Sequence, residues 1–204
     1  NGLNKLLFQI LEECGYAVTR ERVMSEFPIR NKTVRGANTM EVAILDLVAD
    51  LNPKGRKLVL DVTFRMPTAT HIVSAAATTP GAASKRGETD KEQRYNGVDN
   101  VSGLRVTTCA VETFGRIGDH FSKLLDYLGP LARDQAREKG YPLGNYTRKW
   151  IDEISTYTMQ AVSQAILMAY ETNGPAATTL PKVKSICATT LAQPSTCLLS
   201  ADEI

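Results

Sequence analysis

Two acidic residues and a lysine are spaced along the sequence in a way that suits phosphodiester chemistry. Glu41 opens one apolar stretch, and Asp61 lies inside the next one, 20 residues later. If these stretches are neighbouring strands, the two carboxylates can bind a hard divalent cation, because Mg²⁺ prefers oxygen ligands and keeps several waters. Such a metal polarises a phosphodiester and lowers the pKa of a bound water. Lys91, with Lys85 as second choice, could then stabilise the phosphate charge from a following helix.

Asp61 is the most unusual of these residues, because it lies between two apolar residues of the strand LVLDVTF. The alternation of a strand places Leu58, Leu60 and Val62 on one face and Val59, Asp61 and Thr63 on the other. An acid in this position either faces solvent on a half-exposed sheet or has a function. The other charged residues also fit a simpler interpretation, in which a strand end and a charged helix face are merely solvated.

Other common site types find no support in the sequence. The chain has two histidines, and its four cysteines form no CxxC pair, which excludes a zinc finger. It has no GxSxG elbow for a catalytic triad, no GxxxxGK[ST] phosphate loop and no GxGxxG after a strand. Widely spaced free cysteines favour an intracellular protein.

Length and composition indicate one soluble-type domain. The 204 residues are 43% hydrophobic and 23% charged, which argues against disorder and coiled coil. No apolar run approaches the roughly 18 residues of a membrane span, so no membrane association is expected. The net charge is only +2, but residues 51–150 hold 16 Lys and Arg against 10 Asp and Glu. This basic middle is compatible with a surface that faces a polyanion.

The hydrophobic pattern predicts a single mixed α/β (α+β) domain. We expect an amphipathic helix over residues 3–15, a strand after it, and a loop over residues 28–40. EVAILDLVAD and LVLDVTF should form an antiparallel hairpin, followed by a charged helix from about Gly81 to Tyr95 and a strand that ends near Glu112. Two long amphipathic helices close the domain. The prediction is a central mixed β-sheet flanked by helices within residues 1–173, with a low-complexity tail, mobile or loosely docked, over residues 174–204.

Three blocks of the sequence carry a family resemblance. LVLDVTFRMPTATHIVSAA, then GAASKRGETDKEQRY, then VTTCAVETFGRIG resemble the restriction-endonuclease-like domain that follows the reverse transcriptase of some non-LTR retrotransposons. That domain belongs to the PD-(D/E)XK nuclease superfamily. The resemblance covers roughly residues 3–172, and it rests on the three blocks in order rather than on any one of them.

The resemblance implies roles for individual residues. Asp61 matches the metal-binding aspartate of the D-V-T strand, and Thr63 stands where many relatives carry the lysine of the (D/E)XK element. In the retrotransposon branch this lysine is moved to the helix, where Lys91 matches it. Arg94 and Tyr95 complete the K-x-x-[KR]-Y motif. Glu112 matches the glutamate of V-E-T-F-G, with a supporting or structural role.

One departure from the family concerns the first metal ligand. The family usually has an aspartate in an R-P-D setting before the first hairpin strand, and the matching stretch here is Thr39-Met40-Glu41. Asp46, 15 residues before Asp61, is an alternative ligand. The site therefore tolerates Glu41, is rebuilt around Asp46, or is inactive.

The resemblance implies a Mg²⁺- or Mn²⁺-dependent endonuclease that cuts DNA, leaving 5′-phosphate and 3′-hydroxyl ends. It also implies a nuclear location and a reverse transcriptase domain of the same element as partner. The apolar closing helices could pack in cis or form a homodimer. The alternative is an inactive nuclease-derived module that binds nucleic acid or a protein, as an effector or regulator. A purely structural α/β domain is the third interpretation.

Overall fold

A computed structural model of the protein describes residues 2–32, 38–50, 57–95 and 106–173, of which 22–32 and 38–44 are described by their backbone alone. The strands in these ranges are β1 (Ala17–Lys32), β2 (Asn38–Asp50), β3 (Leu58–Arg65) and β4 (Val106–Glu112). The helices are α1 (Gly2–Glu13), α2 (Val73–Thr78), α3 (Ala82–Tyr95), α4 (Asp119–Glu138) and α5 (Tyr146–Asn173).

The described strands form one mixed sheet in the order β1-β2-β3-β4, with helices on both faces, which confirms the predicted α/β class. β1 pairs with β2 and β2 with β3 in antiparallel fashion, so the predicted hairpin of β2 and β3 is also confirmed. β3 and β4 run parallel. A parallel pair needs a crossover connection, and α3 lies in that connection.

Strand β3 separates two different faces of the sheet. Leu60 belongs to a core shared with α1, α4 and α5, and Leu58 and Val62 pack against it. Asp61 and Thr63 face the opposite side, where α3 lies against the sheet. The alternation predicted for this strand is therefore correct. The largest fully buried side chains are Trp150, Phe121, Leu3, Leu7, Ile10, Leu11, Leu45, Leu47 and Leu60.

The loop predicted over residues 28–40 is wrong for 28–32 and 38–40, which are strand, while 33–37 lie outside the described residues. β1 and β2 form a long antiparallel ribbon in which Lys32 pairs with Asn38, and the register shifts between Met24 and Pro28. β1 is an edge strand, where a proline is tolerated, particularly beside an irregularity. Only this outer part of the ribbon was missed, because backbone hydrogen bonds can pair two strands without the alternation of apolar residues that marks a core strand.

Two further points complete the fold. The short helix α2 was not predicted, while α3 begins within one residue of its predicted start. Residues 174–204, predicted as a tail, lie outside the described residues. None of the helices in the described ranges is long and apolar enough to cross a membrane.

Candidate metal and catalytic centre

Helix α3 presents a polar stripe to the sheet. Ser84, Glu88, Lys91 and Tyr95 follow one another at steps of four, three and four residues, so they lie on one face of the helix. Ser84, Glu88 and Tyr95 are buried, and only 18% of the Lys91 side chain is exposed. A helix normally packs an apolar stripe on a sheet, since burying polar groups costs free energy unless they find partners. The partners of this stripe define the candidate site.

Asp61 is the partner of the C-terminal half of the stripe. Lys91 Nζ and Tyr95 Oη donate to the same oxygen, Asp61 Oδ2, at 2.6 and 2.5 Å. Lys91 and Tyr95 are four residues apart, so successive turns of α3 deliver both donors to one point on β3. Burial and the neighbouring Asp61 raise the pKa of Tyr95, which therefore stays a neutral phenol and donates its proton to the carboxylate.

Asp46 is the second acid of the site and approaches Asp61 from β2. The ladder between β2 and β3 includes Leu47 paired with Leu60, and Asp46 is the next residue beyond that pair. Beyond that pair a side chain accepts a hydrogen bond from the β3 backbone: the Val62 N–H donates to Asp46 Oδ2 at 2.7 Å. Its Oδ1 accepts a hydrogen bond from Asn4 Nδ2 of α1 at 3.0 Å. Two donors from different elements thus fix the orientation of this carboxylate.

The two carboxylates interact directly. Burial raises the pKa of Asp46, the charge of Asp61 raises it further, and the hydrogen bonds from Val62 and Asn4 oppose the change. Adjacent acids repel each other when both are ionised, so a cation between or beside them is favourable. The Lys91 ammonium supplies that positive charge in the structure as it stands.

Glu41 lies elsewhere in β2. It is five residues before Asp46, or about 16 Å along an extended strand, and its backbone pairs with Ile29 of β1. Of the two acids that the sequence offered as first ligand, Asp46 is the one whose side chain meets Asp61.

Thr63 lies under α3 at a point of very close packing. A Cβ atom added to Gly87 would come within 3.2 Å of Thr63 Cγ2 and 2.9 Å of Arg65 Nε, so glycine allows the helix to approach β3 here. Arg65 also pairs with Asp90 of α3 at 2.9 Å. The contacts of Thr63 and Arg65 with α3 therefore fix the distance between β3 and the helix that carries Lys91.

Glu112 and Glu88 are structural anchors by their contacts. Glu112 Oε1 accepts the N–H and the hydroxyl of Ser84, at 3.0 and 3.3 Å, in the first turn of α3. Glu88 Oε1 accepts the N–H of His120 at 2.8 Å in the first turn of α4. Carboxylates at helix N-termini satisfy free N–H groups and favour the helix dipole. β4 thus holds α3, and α3 in turn holds α4.

Lys85 and Arg94 are not brought to Asp61. Lys85 is exposed on the outer side of α3. Arg94 is also exposed, with its guanidinium carbon 6.0 Å from the centroid of the Tyr95 ring. Both belong to the same basic helix as Lys91 without sharing its contacts.

The donor set suits a hard divalent cation. Within the described ranges, no three His, Cys, Asp or Glu side chains cluster as a metal site, so Asp46 and Asp61 are the available acids. Zn²⁺ in a structural site needs four protein ligands. Mg²⁺ is usually held by one or two carboxylates, with waters and substrate phosphates completing its shell. The two aspartates fit the second pattern.

Asn4 and Glu88 were not among the residues predicted from the sequence. Asn4 is a buried polar residue on the face of α1 that also presents Leu7 and Leu11 to the core. A polar residue on an apolar stripe was a usable signal. Glu88 could have been found from its spacing with Lys91 and Tyr95, which places the three on one helix face.

No protein-family model matches the chain, and no curated protein matches it.

Proposed function

We propose that the protein is a Mg²⁺- or Mn²⁺-dependent endonuclease with a PD-(D/E)XK-like fold that hydrolyses DNA phosphodiesters. The observation that supports the proposal is the convergence of two acids and a lysine from three different elements. Asp61 from β3 interacts both with Asp46 from β2 and with Lys91 from α3. The resemblance implied two metal-binding acids and a lysine, and the proposal takes Asp46 rather than Glu41 as the first acid.

The residues have distinct roles in this proposal. Asp46 and Asp61 would hold the cation, which when bound polarises the phosphodiester and acidifies a water. Asn4 and the Val62 N–H hold the Asp46 carboxylate in one orientation. Tyr95 holds Asp61 in the same way. The Lys91 ammonium places a positive charge where negative charge develops on the phosphate.

The wider setting of the activity is proposed from the sequence. The basic residues of the middle of the chain favour a polyanion as the substrate. DNA as that polyanion, cut to 5′-phosphate and 3′-hydroxyl ends, follows from the resemblance. Origin in a non-LTR retrotransposon, with a reverse transcriptase domain as partner and a nuclear location, follows from the resemblance alone.

A plasmid assay tests the activity with matched controls. Supercoiled DNA is incubated with Mg²⁺ or Mn²⁺, or with EDTA, and nicked and linear products are separated on a gel. We expect metal-dependent nicking that is lost in Asp61→Asn and Lys91→Met. It should be retained in the matched controls Asp50→Asn, at a half-exposed side chain, and Lys85→Met, at an exposed one. Nicking that persists in Asp61→Asn at the wild-type rate would refute the proposal.

One observation favours a second function. Asp61 already has a cationic partner, since Lys91 Nζ lies 2.6 Å from its Oδ2. A buried ion pair of this kind is also what a domain that no longer cuts would keep for structure. The second candidate is therefore an inactive nuclease-derived module that binds nucleic acid or a protein. In that case wild-type protein would bind DNA in EDTA, cut no plasmid with either metal, and bind equally well as Asp61→Asn.

A further inference from the structure

A tight turn held by several hydrogen bonds follows β4. Its backbone closes on itself, because the Glu112 N–H donates to the Arg116 carbonyl and the Gly115 N–H to the Glu112 carbonyl, both at 2.8 Å. Two neighbours hold it from outside. The Thr113 N–H donates to the Arg65 carbonyl of β3 at 2.9 Å, and the Ser155 hydroxyl of α5 donates to the Gly115 carbonyl at 2.8 Å.

The tip of this turn presents Phe114 to solvent. Its exposed fraction is 62%, although the turn beneath it is fixed on both sides. Gly115 has φ +86, and a Cβ there would lie 3.1 Å from the Ser155 carbonyl oxygen, so glycine is what allows the turn to lie this close to α5. A phenyl ring on such a support is a pre-oriented stacking surface, because little conformational freedom remains to be lost on binding.

A cavity of about 660 Å³ opens beside the ring. Phe114 and Arg116 come from the turn, Glu112 lies at the end of β4, and Pro67, Ala76 and Pro80 come from the segment between β3 and α3. More than half of the Arg116 side chain is exposed, and its Nε is 4.0 Å from Glu112 Oε2. The guanidinium is thus oriented by a carboxylate yet still open to a ligand.

The cavity lies close to the candidate centre along the sheet. Glu112 pairs with Arg65, four residues beyond Asp61 in β3, which corresponds to about 13 Å along an extended strand. That distance matches about four stacked base steps of one DNA strand at 3.4 Å each. A strand with a phosphate at Asp61 can therefore reach the turn.

We propose that Phe114 and Arg116 form a subsite for an unpaired nucleobase and its phosphate. The inference rests on the proposed function only in that the ligand is a nucleic acid. Sites for single strands combine aromatic rings, on which any base can stack, with cations that follow the backbone. An apolar peptide is a poorer occupant, since it would bury the exposed Arg116 side chain without giving it a new polar partner.

The test is the affinity for a fluorescein-labelled oligothymidylate of about 20 nucleotides, measured by anisotropy in EDTA. Phe114→Ala should weaken binding about 5- to 150-fold, the range for losing one base stack. Phe114→Tyr keeps a ring and should bind like wild type. Tyr141→Ala is the matched control, because Tyr141 is equally exposed at 62% and should leave the affinity unchanged. Arg116→Ala should weaken binding and reduce its salt dependence.

The outcomes separate this subsite from the nuclease proposal. Unchanged affinity in Phe114→Ala, or no binding of the oligonucleotide by wild type, overturns the subsite whether or not plasmid is cut. Loss of affinity in Phe114→Ala with no cleavage by wild type supports the subsite and refutes the nuclease. If both proposals hold, Asp61→Asn loses cleavage and keeps the affinity that Phe114→Ala loses.

Discussion

Separating the stability role of the Lys91–Asp61 pair from its role in activity needs a double-mutant cycle. The two groups are 2.6 Å apart, with 18% and 7% of their side chains exposed, so little solvent screens the interaction. Removing one partner of a buried pair costs about 3–5 kcal/mol, because the remaining charge is buried without compensation. Since Lys91 keeps some exposure, we expect about 3 kcal/mol of lost stability for Asp61→Asn and for Lys91→Met.

The double variant should recover part of this loss. With both charges removed, Tyr95 can still donate to the amide oxygen at position 61, and Asp46 keeps its donors from Val62 and Asn4. We expect a loss of about 1–2 kcal/mol for the double variant, which gives a coupling free energy of about 4–5 kcal/mol relative to the sum of the two single losses.

Urea unfolding followed by tryptophan fluorescence measures these differences. Trp150 is the single tryptophan, fully buried in the core, with its indole N–H donating to Glu13 at 3.0 Å. If the losses of the single variants add within about 0.5 kcal/mol in the double variant, the pair is not coupled and the reasoning is refuted. A double variant that is folded and does not cut the plasmid would assign the loss of activity to chemistry rather than to unfolding.

Two further predictions concern the residues that position the site. Asn4→Leu should leave the free energy of unfolding within about 1 kcal/mol of wild type, because Asn4 Oδ1 is buried with no hydrogen-bond partner among the described residues. It should nevertheless weaken Mn²⁺ binding about 10- to 100-fold in calorimetry, since Asp46 loses an orienting donor; unchanged affinity would exclude that role. Gly87→Ala should destabilise the protein by up to about 2 kcal/mol in urea, because overpacking against Thr63 outweighs the gain of about 1 kcal/mol in helix propensity. Gln93→Ala, at an exposed position of the same helix, should not destabilise the protein. Equal stability of the two alanine variants would show that a Cβ at position 87 fits between α3 and β3.

The sequence was informative where residues meet the core and much less so elsewhere. The apolar alternation of β3 predicted its strand, its two faces and the unusual position of Asp61, because burial of one face leaves a period of two in the sequence. The ribbon of β1 and β2 carries no such period over residues 28–40 and was taken for a loop. Apart from Lys91 and Tyr95, the polar stripe of α3 was not distinguished from a charged solvated helix face, because periodicity of polar residues does not distinguish solvent from a polar site.

The choice between Glu41 and Asp46 depended on strand register. The observed pairs include Leu47 with Leu60 and Ala49 with Leu58. Continued along both strands, this register places Asp46 opposite Asp61 and would place Glu41 opposite residue 66, after β3 has ended. A shift of one residue would have moved every side chain of the strand to the other face, so register rather than residue type decides which acid can reach Asp61. Removing the two acids one at a time tests this directly: Asp46→Asn should abolish plasmid nicking, and Glu41→Gln should leave it intact.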